Sequence, residues 1–326
     1  MRFLDAPGDG AYTGAFSGSD NTLMPTVRAP RCVLLAVAIA AAAGSFVGPL
    51  RAQTPPPRER VLYVSAVNDK GEPVADLGPD AFVVREEGVR REVLRVSRAT
   101  GPIDLALLVD NSAAIRDMVT LIRQGVSTFI TRMAPRNQIA LIGLADRPTI
   151  LVDYTNDAKR LADGVGRIFP TTQSGATLLD AIAETSRGLA RREGPRAVMV
   201  AVVTDGPEFT NRYSKDVAKE LVNAGAALHV VGIGQFIHSE ENGIRERSFL
   251  LDEGPRTSGG QRILLLSPIG IEPTLERLAR ELSSQYKVVY ARPQSLIAPE
   301  KIEVASARPG ITMRGAPERR QDGGTR

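Results

Sequence analysis

Residues 103–115 read IDLALLVDNSAAI: a mostly apolar run that stops at one carboxylate, Asp110, and continues in small polar and apolar residues. An aspartate directly after a buried strand is either a solvated strand end or a group placed to hold something. Which of these it is depends on whether other oxygen-bearing side chains come to lie beside it. Three further runs, QIALIGL, RAVMVAVV and ALHVVGI, have the same strand length and continuous apolar character. That is the pattern of strands covered on both faces.

Helical periods lie between these runs. Ile115, Met118, Val119, Ile122, Val126, Phe129, Ile130 and Met133 recur at 3.6-residue spacing, as do Leu178, Leu179, Ile182, Thr185 and Leu189. Thr155–Asp157 reads as a helix start, and IEPTLERLARELSSQ as a last amphipathic helix before the strand YKVVYA. Strands alternating with helices across short connections predict an α/β fold with a doubly wound, mostly parallel sheet. The short run TILVD, close behind QIALIGL, reads as an antiparallel edge strand.

Ligands of such sheets bind beyond the carboxyl ends of the strands. Three polar loops fall there: Asp110, Asn111 and Ser112 after the first strand, Thr177 within SGATLLDAI, and Asp205 within VVTDGPEF. Carboxylates and hydroxyls without His or Cys are hard oxygen donors, suited to magnesium, manganese or calcium rather than zinc.

The motifs LLVDNSAAI, TTQSGATLLDAI and VVTDGPE, in this order, resemble the three loops of the von Willebrand factor A domain and its metal-ion-dependent adhesion site. The resemblance covers residues 101–291 and implies a Rossmann-like interaction module. By that resemblance Ser112 and Thr177 would bind a divalent cation, Mg2+ or another, directly, and Asp110 and Asp205 would bind it through water. A protein partner presenting a carboxylate would complete the octahedron, with Asn111, Ser174 and Gly206 meeting that partner. The family's last first-loop serine is Ala114 here, so one direct ligand is missing and the site is degenerate. The bland alternative is that Asp110 and Asp205 only cap strand ends and nearby helix N-termini.

Residues 59–99 read as a small β unit and residues 292–315 as a C-terminal β extension, so the core carries small β extensions at both ends. About forty residues with few aromatics bury too little to stand alone, so the front unit should pack against the larger domain C-terminal to it. RVLYVSAV alternates like a half-buried strand, and Arg85, Glu86, Glu87, Arg90 and Arg91 are expected on a solvated face. The front unit and tail together resemble exported bacterial proteins of the von Willebrand factor A-related type described from acidobacteria. Residues 316–326 read as a disordered tail.

Ahead of a Pro-rich linker at 53–58 lies a leader. From Met24, the expected start, two arginines precede an uncharged Ala-rich run from Cys32 to Leu50 and then LRAQ. This is a signal-peptide pattern, with cleavage after Ala52 and a secreted or periplasmic product; the alternative is an N-terminal inner-membrane anchor. Cys32 is the only cysteine, so the mature chain would hold no thiol and no disulfide. The formal net charge is +4 and the basic residues are scattered, which argues against a nucleic-acid partner. No stable membrane insertion is expected after cleavage.

Catalysis finds little support. Neither Ser112 nor Ser174 sits in a GxSxG elbow, His229 falls inside an apolar strand, and His238 sits in a polar loop. GIGQF lacks the third glycine and following helix of a phosphate loop and reads as a strand-end turn. The expectation is an exported, non-catalytic interaction or adhesion module; the alternatives are a metal-assisted hydrolase and a metal-independent scaffold of the cell envelope.

Overall fold

The computed structural model describes residues 58–236, 239–294, 299 and 301–318. The leader with its cleavage site, His238 and the end of the tail lie outside the described residues. In chain order, β1 (Arg58–Asn68), β2 (Phe82–Glu86), β3 (Val89–Arg91) and β4 (Val93–Arg98) come first. Then come β5 (Ile103–Val109), α1 (Val119–Met133), β6 (Gln138–Gly143), β7 (Thr149–Thr155), α2 (Ala158–Gly166) and α3 (Leu178–Ala190). Next are β8 (Arg196–Thr204), α4 (Ser214–Asn223), β9 (Ala226–Ile233), α5 (Asn242–Ser258), β10 (Gln261–Leu265) and α6 (Ile271–Ser283). The last three strands are β11 (Tyr286–Arg292), β12 (Ile302–Ser306) and β13 (Ile311–Pro317).

The central sheet has six strands in the order β10-β9-β8-β5-β6-β7, parallel except for β7 at one edge. Every residue of β5, β8 and β9 is buried, which is why these strands read as apolar runs without alternation. Alternate side chains feed two cores. Leu105, Leu107, Val198 and Val200 pack with α1, α2 and α6, whereas Ala106, Leu108, Met199 and Ala201 pack with α3, α4 and α5. Each fully buried Leu or Val contributes about 1.5–3 kcal/mol, so the two faces hold this sheet together.

The first helical period begins later than its spacing suggests. Residues 113–115 form a single 3-10 turn whose start is capped by Ser112, and α1 begins only at Val119. Ile115 is fully buried all the same, because the turn keeps it on the core side. Asp157 caps α2 by accepting hydrogen bonds from the Lys159 and Arg160 amides, as its position predicts.

The two ends of the described chain build one β module. β1 lies between β11 and β13, antiparallel to both, and β4 pairs with the other edge of β11. β12, β2 and β3 make a second small sheet, and the two share a core of Leu62, Val64, Phe82, Val84, Tyr286, Val288 and Tyr290. The strand after α6 therefore leaves the parallel sheet and completes the front unit, supplying the aromatics that the first forty residues lack. β1 is covered on both faces from Leu62 to Val67 rather than half-buried.

Glu86 departs from the expected solvated face. It is only 1% exposed and accepts hydrogen bonds from the Tyr290 hydroxyl at 2.7 Å, Arg292 at 3.1 Å and Arg91 at 3.2 Å. A buried carboxylate is tolerable when its oxygens are paired in this way, and two of the three partners come from β11. Arg196 does a similar job between the module and the sheet: its guanidinium donates to the carbonyls of Gly101 and Leu282 and to the Gln285 amide oxygen.

Candidate functional site

In chain order, β5 is followed by β6 on one side of it, and the chain then crosses to β8 on the other. The border between β5 and β8 is thus the topological switch point of the sheet, where the loops diverge and leave a crevice. Asp110 leaves β5 and Asp205 leaves β8, at adjacent strand ends.

Asp110 is 1% exposed. One of its carboxylate oxygens accepts from the Ser112 amide at 2.8 Å; the other accepts from the Thr204 amide at 3.2 Å and from the Thr204 hydroxyl. It is neither a solvated strand end nor free: it ties the first loop to the end of β8. Ser112 is fully buried, and its oxygen accepts from the Ala114 amide at 3.4 Å. The Asn111 side-chain oxygen accepts from the Leu144 and Ala145 amides at 2.7 and 2.8 Å, joining the first loop to the end of β6.

The second loop is held from both sides. The Thr177 hydroxyl donates to the Leu144 carbonyl at 2.8 Å, and isolated bridges run from Ala145 through Ala176 to Glu208. Ser174 is buried and donates to the Thr171 carbonyl at 2.8 Å, so it shapes this loop from within. Asp205, in contrast, is exposed, and accepts from the Gln235 amide at 2.9 Å. The chain turns at Gly234 with φ +120°, and a Cβ there would come within 2.5 Å of all three atoms of the Asp205 carboxylate group. The GIGQF turn therefore needs its glycine to let Asp205 lie flat against it.

Two charged residues not assigned from the sequence sit beneath the third loop. Arg247 of α5 is 2% exposed and donates to the Gly206 carbonyl at 2.6 Å. Glu208 is also 2% exposed. Its carboxylate oxygens and the Arg247 Nε make no regular hydrogen bond among the described residues. Burial pushes the Glu208 pKa up to about 8, against the pull of the Arg247 charge and the nearby Leu178 and Leu179 amides at the start of α3. Burial likewise draws Arg247 down, and the charges of Glu208, Asp110, Asp205 and Glu241 push it back up. Glu208 lies within the VVTDGPEF motif, where only Asp205 and Gly206 are given roles from sequence, and Arg247, about forty residues further on, carries no local signal. Exposed Phe209 and Tyr213 lie just after the third loop, and exposed Phe169 precedes the second.

These residues do not fit a resident divalent ion. Magnesium requires near-ideal six-coordination. Here the third hydroxyl position is a methyl group, the Asp110 oxygens are already engaged, and a guanidinium stands beneath the third loop. His229 is 1% exposed within β9, and the charges felt there are those of Glu281 and Arg314 rather than of the loop residues.

The sequence profile of the von Willebrand factor type A domain matches residues 104–246. No curated protein matches the chain. Among solved structures, proximal thread matrix protein 1 from the mussel byssus is 15% identical with a TM-score of 0.47, over 60% of this chain and 51% of that one. This chain thus spans about half of the mussel protein's length. A further structure of that protein, with a zinc-occupied MIDAS motif, is 14% identical with a TM-score of 0.45, over 61% and 50% of the two chains. A von Willebrand factor type A protein from Catenulispora acidiphila is 11% identical with a TM-score of 0.44, over 81% and 74%.

Proposed function

This chain carries a von Willebrand factor type A domain, and from that premise we propose that it is an exported, non-catalytic protein-interaction module. Its partner binds the rim built by Asp110, Asn111, Ser112, Ser174, Thr177, Asp205 and Gly206. The observation that carries this reading is the contrast within the rim: Asp205 is exposed above a buried, internally bonded layer of Asp110, Ser112 and Thr177. A rigid floor with an exposed carboxylate, and with exposed Phe209 and Tyr213 just beyond it in the chain, has the make-up of an interface anchor. The hydroxyls are used to brace loops, and the buried His229 lies within β9, away from them, so the reading assigns no nucleophile and base. A divalent ion, magnesium or another, is given only the part of a weakly held accessory.

Export rests on the Arg-flanked apolar run that ends at LRAQ. Among the described residues no helix is long and apolar enough to cross a membrane. N-terminal sequencing of the secreted or periplasmic fraction is expected to begin at Gln53.

The test of the surface compares wild type, Asp205→Ala and a control, Asp163→Ala on the exposed face of α2. Each is cross-linked in envelope extracts and its captured proteins identified, with a thermal melt alongside. Asp205→Ala is expected to lose the captured partner while its stability changes by about 0.5 kcal/mol or less, since the side chain is exposed. An unchanged capture profile places the binding surface elsewhere on the chain.

A further inference from the structure

The rim of the three loops contains a cation of its own. Resting on the reading of those loops as the interaction surface, we propose that Arg247 is the resident cation of this site. Its guanidinium, fixed beneath the third loop, supplies the positive charge that the carboxylates require, so the rim keeps its shape and engages its partner with no divalent ion bound.

Four observations carry this. Arg247 is 2% exposed, and its Nη1 is fixed 2.6 Å from the carbonyl oxygen of Gly206, the residue directly after Asp205. A buried guanidinium is strongly unfavourable unless negative charge compensates it, so its presence here implies that the surrounding carboxylates do so. Those carboxylates are Asp110, Asp205 and Glu241, so residues of both the first and the third loop act on one arginine, with Glu208 beside it.

The second observation is steric. A Cβ on Gly206 would lie 2.7 Å from the Ala114 methyl, so the first and third loops pack closely against each other at these two residues. Arg247 braces the same residue of the third loop through the Gly206 carbonyl. Third, the orphaned polar atoms are complementary: the Arg247 Nε is a buried donor and the Glu208 carboxyl oxygens are buried acceptors, and neither makes a regular hydrogen bond among the described residues. Fourth, the guanidinium carbon lies 5.3 Å from the centroid of the Phe236 ring, which favours a cation held in place there.

A second cation of double charge beside this one would be repelled, and repulsion falls off slowly in a partly desolvated site. Restoring the hydroxyl at position 114 should therefore not restore a metal site while Arg247 stays charged. The experiment measures Mn2+ binding by calorimetry on the full chain as wild type, Ala114→Ser, Ala114→Ser with Arg247→Gln, and Ala114→Ser with Arg247→Lys. The glutamine double variant is expected to bind Mn2+ at least about tenfold more tightly than Ala114→Ser alone, the scale on which groups around a metal site alter affinity. The lysine variant keeps the charge and is expected to stay with Ala114→Ser.

Equal binding by Ala114→Ser and the glutamine double variant overturns the proposal, and so does a lysine variant that gains as much as the glutamine one. If circular dichroism shows that Arg247→Gln does not fold, Ala114→Ser against wild type decides alone. A difference within about threefold supports the resident arginine, and a gain of about tenfold or more overturns it. Capture by Asp205→Ala tests the interaction surface separately: lost metal discrimination with intact partner dependence on Asp205 refutes only the role of Arg247, and the reverse refutes only the surface.

Discussion

Replacing Glu208 by glutamine is predicted to stabilise the protein in alkaline solution and to flatten its pH dependence. Glu208 is 2% exposed, and burial raises its pKa from 4.5 to about 8 despite the opposing pull of Arg247. A carboxyl whose pKa is raised on folding favours the folded state below its unfolded pKa, and this advantage is lost as the pH rises through the folded value. At about 1.36 kcal/mol per pKa unit, this one group removes roughly 4 kcal/mol of stability between pH 5 and pH 9. Glutamine keeps the shape and has no proton to lose. Thermal melts at half-unit steps should show the variant melting about 8–15 °C above wild type at pH 9, at the usual conversion for a chain of this size. The two should converge near pH 5. Parallel profiles, or a variant less stable at pH 9, would refute the reasoning, because either result means that Arg247 holds Glu208 ionised as a strong pair. A carboxyl kept mainly neutral at pH 7 instead leaves the Arg247 charge to Asp110 and Asp205, as its proposed role requires.

His229 titrates in the opposite window: burial depresses its pKa from 6.5 to about 4, so stability present above pH 6.5 is lost as the pH falls towards 4. The loss should be roughly 3 kcal/mol, and His229→Leu should remove that part of the acid slope in urea titrations. Arg196→Met leaves the carbonyls of Gly101 and Leu282 and the Gln285 amide oxygen without their donor. It is expected to destabilise by about 3 kcal/mol or more, and hydrogen exchange should show β1 and β11 losing protection ahead of β5 and β8.

How much of this protein could be read along the chain depends on which forces are local. Continuous apolar runs identify β5, β8 and β9 because burial on both faces leaves few positions for a polar side chain, Asp104, Arg196 and His229 being among the exceptions, and 3.6-residue periods identify α1, α3 and α6 because one face of each must be apolar. The three polar loops were legible for the same reason: each lies directly after or before such an element, so its place at the carboxyl edge comes with the strand. Pairing between distant segments has no local mark. Nothing in RVLYVSAV indicates that β11 and β13 will flank it, and so the burial of both its faces appears only in the assembled module. Charged residues show the same limit most sharply. A lone Glu86 or Arg247 in sequence defaults to solvent, because desolvating an unpaired charge is prohibitive. Only the fold brings Arg292 and Tyr290 to the first, and Gly206, Glu208 and Asp110 to the second, and with those partners in place burial becomes the favourable state.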